Sequence, residues 1–206
     1  MALFQEQKQI ANPTVQMPTT CIYELTADHA FKDFVLDGFA DSLPFIERFN
    51  GTVIGTDLKG TRLSLNPDTP DGPLPDYSSL SGLGIGVFSD RAVTVLRQIL
   101  DSHGQLFAVE FPQSSYFLYN ITTMIDALDH QHCVLEYWPR IKRVFEFPVR
   151  RVLEYAFHEQ LLQNVHLFKI PEFPTTQIYV TGNFVEEVQS RGLTGFRFTR
   201  LWSSGE

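Results

Sequence analysis

The chain has 206 residues, 43% of them hydrophobic, 19% charged and 13% aromatic, with 18 Phe; this balance predicts a globular chain with a ring-rich core and argues against the disordered, collagen-like and membrane-spanning classes. Its net charge is −8, and residues 1–103 hold 13 acids against 7 bases. That argues against nucleic acid or a membrane surface as partner and favours a basic partner, with solubility alone as the other reading.

The first dozen residues carry Glu6 and Lys8 and no apolar run, so neither a secretory signal nor an anchor is expected, and the expected compartment is the cytoplasm. Cys21 and Cys133 are too few for a disulfide framework and are expected to remain thiols.

In chain order, Cys21–Leu25 reads as an opening strand. Residues 30–49 show no clean period. Residues 51–65 set Thr52, Val53 and Ile54 against Thr61, Leu63 and Leu65 around Gly55 and Gly60, which predicts a hairpin. The stretch 66–76 packs four prolines with Asp68, Asp71 and Asp76, which reads as an exposed connection. It divides the chain into an N-terminal β-rich lobe (1–65), the connection (66–76) and an α+β domain (77–206), with one domain overall as the alternative.

Beyond it, Ile85–Phe88 predicts a strand. Ser89 caps a helix with Ala92, Val93, Leu96, Ile99 and Leu100 at helical spacing; Gly104 ends it, and Leu106–Phe111 is a further strand. Ile178–Val180, Thr181 as cap, the helical face Phe184, Val185 and Val188, Gly192, and a strand over 195–202 repeat the arrangement. Laying Ser89 on Thr181 aligns the two helices, as a duplication or convergence on one pattern would. Between these two strand–helix–strand units the pattern predicts strands at 116–124, 134–138 and 144–149, a helix over 151–163 and a strand over 165–170. The expected class is α+β, a mixed or antiparallel sheet flanked by helices.

Catalysis needs converging groups, and the sequence offers weak candidates. His130-Gln131-His132-Cys133 has three potential ligands but no second cluster at zinc spacing, so a polar turn after Asp129 is expected, with no metal and no cofactor. His158 and His166 need not share a face. Gly82-Leu83-Gly84-Ile85-Gly86 resembles a phosphate-cradling loop, but the strand 85–88 intervenes where a helix should open. Ser114 and Ser115 lack the glycine-flanked elbow of a hydrolase and read as a turn. Asp126 and Asp129 could form an acid–base pair, yet suit caps or turns better. Arg140, Lys142, Arg143, Arg150 and Arg151, interleaved with Trp138, Phe145 and Phe147, form a basic cluster whose strand alternation sends the charges to a solvated face.

Leu74-Pro75-Asp76, Val87-Phe88-Ser89, Tyr119-Asn120, Asp126-Ala127-Leu128-Asp129, Leu167-Phe168, Ile178-Tyr179-Val180-Thr181 and Gly192-Leu193-Thr194-Gly195-Phe196-Arg197-Phe198 follow one another in an order that resembles a bacterial family: the immunity proteins numbered eleven in polymorphic toxin systems, formerly a domain of unknown function. The resemblance covers residues 74–202 and leaves the earlier ones unmatched. It implies a protein that binds and neutralises a cognate toxin encoded nearby, by covering its active site, and it brings no catalytic residues. A nuclease is one candidate toxin, since an acidic inhibitor suits a basic cleft. Composition makes Asp68, Asp71, Asp76 and Tyr77 the expected toxin-contacting residues, acids and a ring on an exposed segment. The competing readings are an adaptor in a secretion cluster and a small hydrolase using Asp126 and Asp129.

Overall fold

The computed structural model describes residues 19–37, 43–55, 58–69, 71–80, 83–139 and 148–205. Its strands are β1 (Cys21–Ala27), β2 (Phe34–Leu36), β3 (Leu63–Leu65), β4 (Tyr77–Ser79), β5 (Gly86–Ser89), β6 (Gly104–Val109), β7 (Tyr116–Ile121), β8 (Val134–Tyr137), β9 (Val149–Glu154), β10 (Leu167–Phe168), β11 (Tyr179–Thr181) and β12 (Phe196–Ser203). The helices are α1 (Leu43–Ile46), α2 (Asp90–His103) and α3 (Gly182–Ser190), with a 3-10 turn at Glu159–Leu162.

Two four-stranded antiparallel sheets dominate, in the orders β4-β5-β7-β6 and β10-β11-β1-β12. Their connections correspond. In the first, β5 leads through α2 into β6, and β7 lies between those strands, antiparallel to both. In the second, β11 leads through α3 into β12, and β1 takes the middle place. The middle strands differ in origin: β7 follows β6 directly, whereas β1 arrives from the other end of the chain. The pairs β2–β3 and β8–β9 form separate ribbons.

Strand alternation divides the side chains among three cores. Phe88, Tyr119 and Ile121 from the first sheet, Leu25 and Val180 from the second, and the apolar faces of α2 and α3 share the central one. On the opposite face of the first sheet, Val87, Tyr116 and Leu118 meet Phe34, Phe49, Ile54 and Leu63. On the opposite face of the second, Ile22 and Tyr179 meet Ala127, Leu128, Phe157 and Leu162. Helix α2 forms where the spacing predicts it: Ser89 accepts from the Ala92 amide at 3.1 Å, and the Gly104 amide donates to the Leu100 carbonyl. Helix α3 buries Phe184, Val185 and Val188, but its N-cap Thr181 turns its hydroxyl to the Val165 carbonyl (2.8 Å), so the cap gives no side-chain bond to the helix.

Two expectations fail. Residues 51–54 form no strand, and β3 pairs instead with β2, Phe34 opposite Leu65. The expected helix over 151–163 is replaced by β9, which pairs with β8, followed by the 3-10 turn. Its β-branched and charged start satisfies a ribbon as well as a helix, and the partner strand decides. The strand expected at 144–149 falls mostly outside the described residues.

Polar links tie the cores together. His103 at the end of α2 accepts from the His166 amide through Nε2 (3.1 Å), and its Nδ1 bonds the Ile99 carbonyl (2.9 Å). Lys169 is 1% exposed, and its ammonium donates to the carbonyls of Phe49 (2.8 Å) and Pro174 (2.7 Å). Burial pulls this lysine down to about 8 from 10.5. Between those pH values the unfolded chain holds a proton that the folded chain has released, so this group makes stability rise as pH rises. Tyr77, Tyr119 and Tyr179, all raised by burial, act in the opposite sense above pH ~10. Urea denaturation at steps from pH 7.5 to 10 is therefore expected to give Lys169→Met a flatter stability profile than the parent. Parallel profiles would show that the lysine is not held in this way.

Candidate functional site

The expected contact residues sit on the chain entering β4. Asp76 is 6% exposed. Its Oδ1 accepts from the Ser89 hydroxyl (2.8 Å), and its Oδ2 from Arg91 (2.6 Å), the Thr194 amide (3.0 Å) and the Thr194 hydroxyl (3.1 Å). The Asp76 amide donates to the Thr194 carbonyl (3.1 Å), and its carbonyl accepts from the Ser89 amide (2.9 Å). One carboxylate thus fixes the start of β4, the N-terminus of α2 and the turn before β12. Such a buried anion is tolerated because both oxygens are fully engaged, one of them by a guanidinium.

Tyr77 follows into the central core and is 0% exposed, stacked on Phe196 at 4.7 Å and edge-on to Phe88 at 5.0 Å. Gly195 makes room for it: its φ is +85°, and a Cβ there would stand 2.2 Å from the Tyr77 carbonyl oxygen. Tyr116 closes the arrangement by donating to the Pro75 carbonyl at 2.8 Å. Asp76 and Tyr77 are therefore buried, which corrects the exposure expected of them. The Pro-rich composition gave no sign that Asp76 leads directly into the buried strand β4 and is enclosed by partners at 89, 91 and 194.

Asp68 and Asp71 are exposed. Asp68 closes a turn through its amide to Asn66 Oδ1 (3.0 Å). Asp71 pairs with Lys32 at 2.8 Å, and that bond holds its carboxyl below the ordinary range. So open a pair adds little to stability and stays free to exchange partners. Pro70 lies outside the described residues.

The other candidates separate. Asp129 closes a turn as expected: its Oδ1 accepts from the Gln131 amide (3.0 Å), its Oδ2 contacts His132 Nδ1 (2.7 Å), and His158 Nδ1 stands 3.8 Å away. The His132 bond lowers its carboxyl pKa. Asp126 goes elsewhere, to a cluster with His130 and Glu172 whose potential ligand atoms all lie within 4.8 Å of one another. Glu172 escaped the sequence reading because it stands 42 residues from His130 and no spacing rule links them. His166 faces His103 across 5.5 Å. Burial raises the Cys133 thiol, which contacts the backbone of Ala156.

Gly84 packs on the backbone of residues 175–177, and Gly86 opens β5, with no helix beginning there; Gly82 lies outside the described residues. So do Arg140, Lys142, Arg143, Phe145 and Phe147 of the basic cluster. Its remaining members, Arg150 and Arg151, both bond Glu136, and Arg150 lies 5.2 Å over the Trp138 ring. On the same ribbon Val134, Tyr137 and Leu153 are exposed. No helix among the described residues is long and apolar enough to cross a membrane.

A buried polar hub thus joins the two antiparallel sheets, with Asp68, Asp71, Tyr137 and Leu153 exposed around it. Residues 41–202 match the model of the immunity protein family (Imm11), and the chain belongs to that family. The match begins well before Leu74 and takes in α1 and β3, which the resemblance had left unmatched. A search of the curated proteins gives no match.

Replacing Asp76 by alanine is expected to lower unfolding free energy by about 3 kcal/mol, because buried donors lose their acceptor. Arg91→Ala, which removes a half-exposed partner, is expected to cost about 1 kcal/mol or less. Chemical denaturation of both variants checks this ordering, and equal losses would contradict it.

Proposed function

We propose that the chain binds and neutralises a cognate bacterial toxin by occluding its active site, as an inhibitor and not as an enzyme. The family match over residues 41–202 carries this reading. The protein acts in the cytoplasm, beside a toxin of a polymorphic or secretion-linked system, and a nuclease is one candidate because its basic cleft suits a chain of net charge −8. The chain works as one domain, a proposal supported by β1 lying between β11 and β12 although it precedes residue 65. The two helix-linked units serve as a repeated scaffold around the central core.

Asp68 and Asp71 are the acids that meet the toxin, supported by their exposure on the loop leading to β4. Asp76 and Tyr77 act indirectly, by fixing where that loop leaves the fold. A rival contact surface is the β8–β9 ribbon, favoured by its exposed Val134, Tyr137 and Leu153, since aromatic and apolar anchors dominate binding energy at interfaces.

The test begins with capture of the tagged protein from its native lysate through a high-salt wash, with mass spectrometry of what remains. A toxin domain at near equal amount is expected, and co-expression is expected to restore growth to cells making that toxin. Binding without rescue would mark an adaptor instead, and a partnerless preparation would count against inhibition. With the toxin in hand, Asp68→Lys combined with Asp71→Lys is expected to slow association about tenfold or more and to reduce its salt dependence. If Tyr137→Ala and Leu153→Ser weaken binding while the charge reversals leave it unchanged, the ribbon is the contact surface.

A further inference from the structure

We propose that Asp126, His130 and Glu172 form a binding site for a divalent transition-metal ion, for which Zn2+ is the probe. The site goes beyond toxin binding and does not depend on it. Its potential ligand atoms, one from each residue, lie within 4.8 Å of one another, a spread that a single ion can bridge with bonds of about 2.0–2.2 Å after small side-chain adjustments.

Glu172 supplies a second observation. Its side chain is only 10% exposed. One oxygen meets His130 Nε2 at 2.5 Å, while Oε2 is buried with no hydrogen-bond partner. A carboxylate oxygen withdrawn from water and left unpaired is costly, and a bound cation removes that cost.

The backbone around the three residues is fixed before any ion arrives. Ile125 and Ala127 belong to the third core, so the chain is anchored on both sides of the exposed Asp126. The Ile125 amide donates to the Lys169 carbonyl at 2.9 Å. His130 sits within the Asp129 turn, which the Gln131 and His132 amides close. Glu172 rides on the turn after β10, closed by the Phe173 amide to the Ile170 carbonyl and by Lys169 Nζ to the Pro174 carbonyl. Ion binding would therefore clasp the 126–130 segment to the 170–174 turn over the third core.

The donor set of one imidazole and two carboxylates suits Zn2+ or Mn2+ better than a soft thiophilic ion. With Asp126 and His130 exposed, the remaining coordination positions open to water.

The experiment titrates the chelator-treated full chain with ZnCl2, and separately with MnCl2, by calorimetry, and follows the melting temperature against Zn2+ concentration. One Zn2+ per chain is expected, with a melting temperature that climbs as Zn2+ is added. His130→Ala, Glu172→Gln and the exposed Asp126→Asn should each weaken Zn2+ binding at least about tenfold, the loss that even an outer-shell change can bring. His132→Ala, which alters the neighbouring Asp129 turn, should leave affinity unchanged. Absence of Zn2+ binding by the parent chain up to millimolar metal overturns the proposal. Full affinity in Asp126→Asn, or loss in His132→Ala equal to that in His130→Ala, does so too. Asp126→Asn keeps the test decisive even if Glu172→Gln fails to fold.

Discussion

The carboxylate of Asp76 ties together parts of the chain that lie far apart in sequence. It accepts from Ser89 on one side and from Thr194, 118 residues away, on the other. Because Ser89 also caps α2 and Thr194 leads into β12 through Gly195, the same anion sets where a helix begins and where a strand of the opposite sheet begins. Aromatic stacking of Tyr77 on Phe196 follows directly from that placement. A buried charge is a demanding way to make such a joint, since its donors at Ser89 and Thr194 must both be in place, and that requirement favours one mutual position of the two sheets.

Several of the pieces by which the chain resembles its family converge on this joint: Leu74-Pro75-Asp76, Val87-Phe88-Ser89 and Gly192-Leu193-Thr194-Gly195-Phe196. They are read most simply as makers of the fold. Surface character is left to the stretches around them, to the acidic loop carrying Asp68 and Asp71 and to the ribbon carrying Tyr137 and Leu153. A scaffold with so rigid a centre can vary such stretches without disturbing its core.

The elements that were legible in the sequence were those governed by local rules. Ser89, its helical apolar spacing and Gly104 name α2 from start to finish, and Phe184, Val185 and Val188 name the buried face of α3. What was not legible depended on partners distant in sequence. Nothing local says that Leu63–Leu65 will pair with Phe34–Leu36 instead of Thr52–Ile54, or that Val149–Glu154 will find β8 and form a strand. Asp76 misled for the same reason, because prolines and aspartates advertise a loop while the partners that bury this one lie at 89, 91 and 194. The approach of Asp126 and His130 to Glu172 is likewise a product of tertiary packing and leaves no motif.

The middle strand of the second sheet has a consequence for the order of events during synthesis. Of the described strands β1 is made first, yet its two neighbours, β11 and β12, are made last, and Cys21 faces Ser203 across 182 positions. The first sheet draws its strands from a contiguous stretch and can assemble while translation continues. The second must wait for nearly the whole chain, with β1 carried as an unpaired strand in the meantime. A chain that stopped short of β12 would leave β1 without one of its two neighbours and Tyr77 without the ring it stacks on.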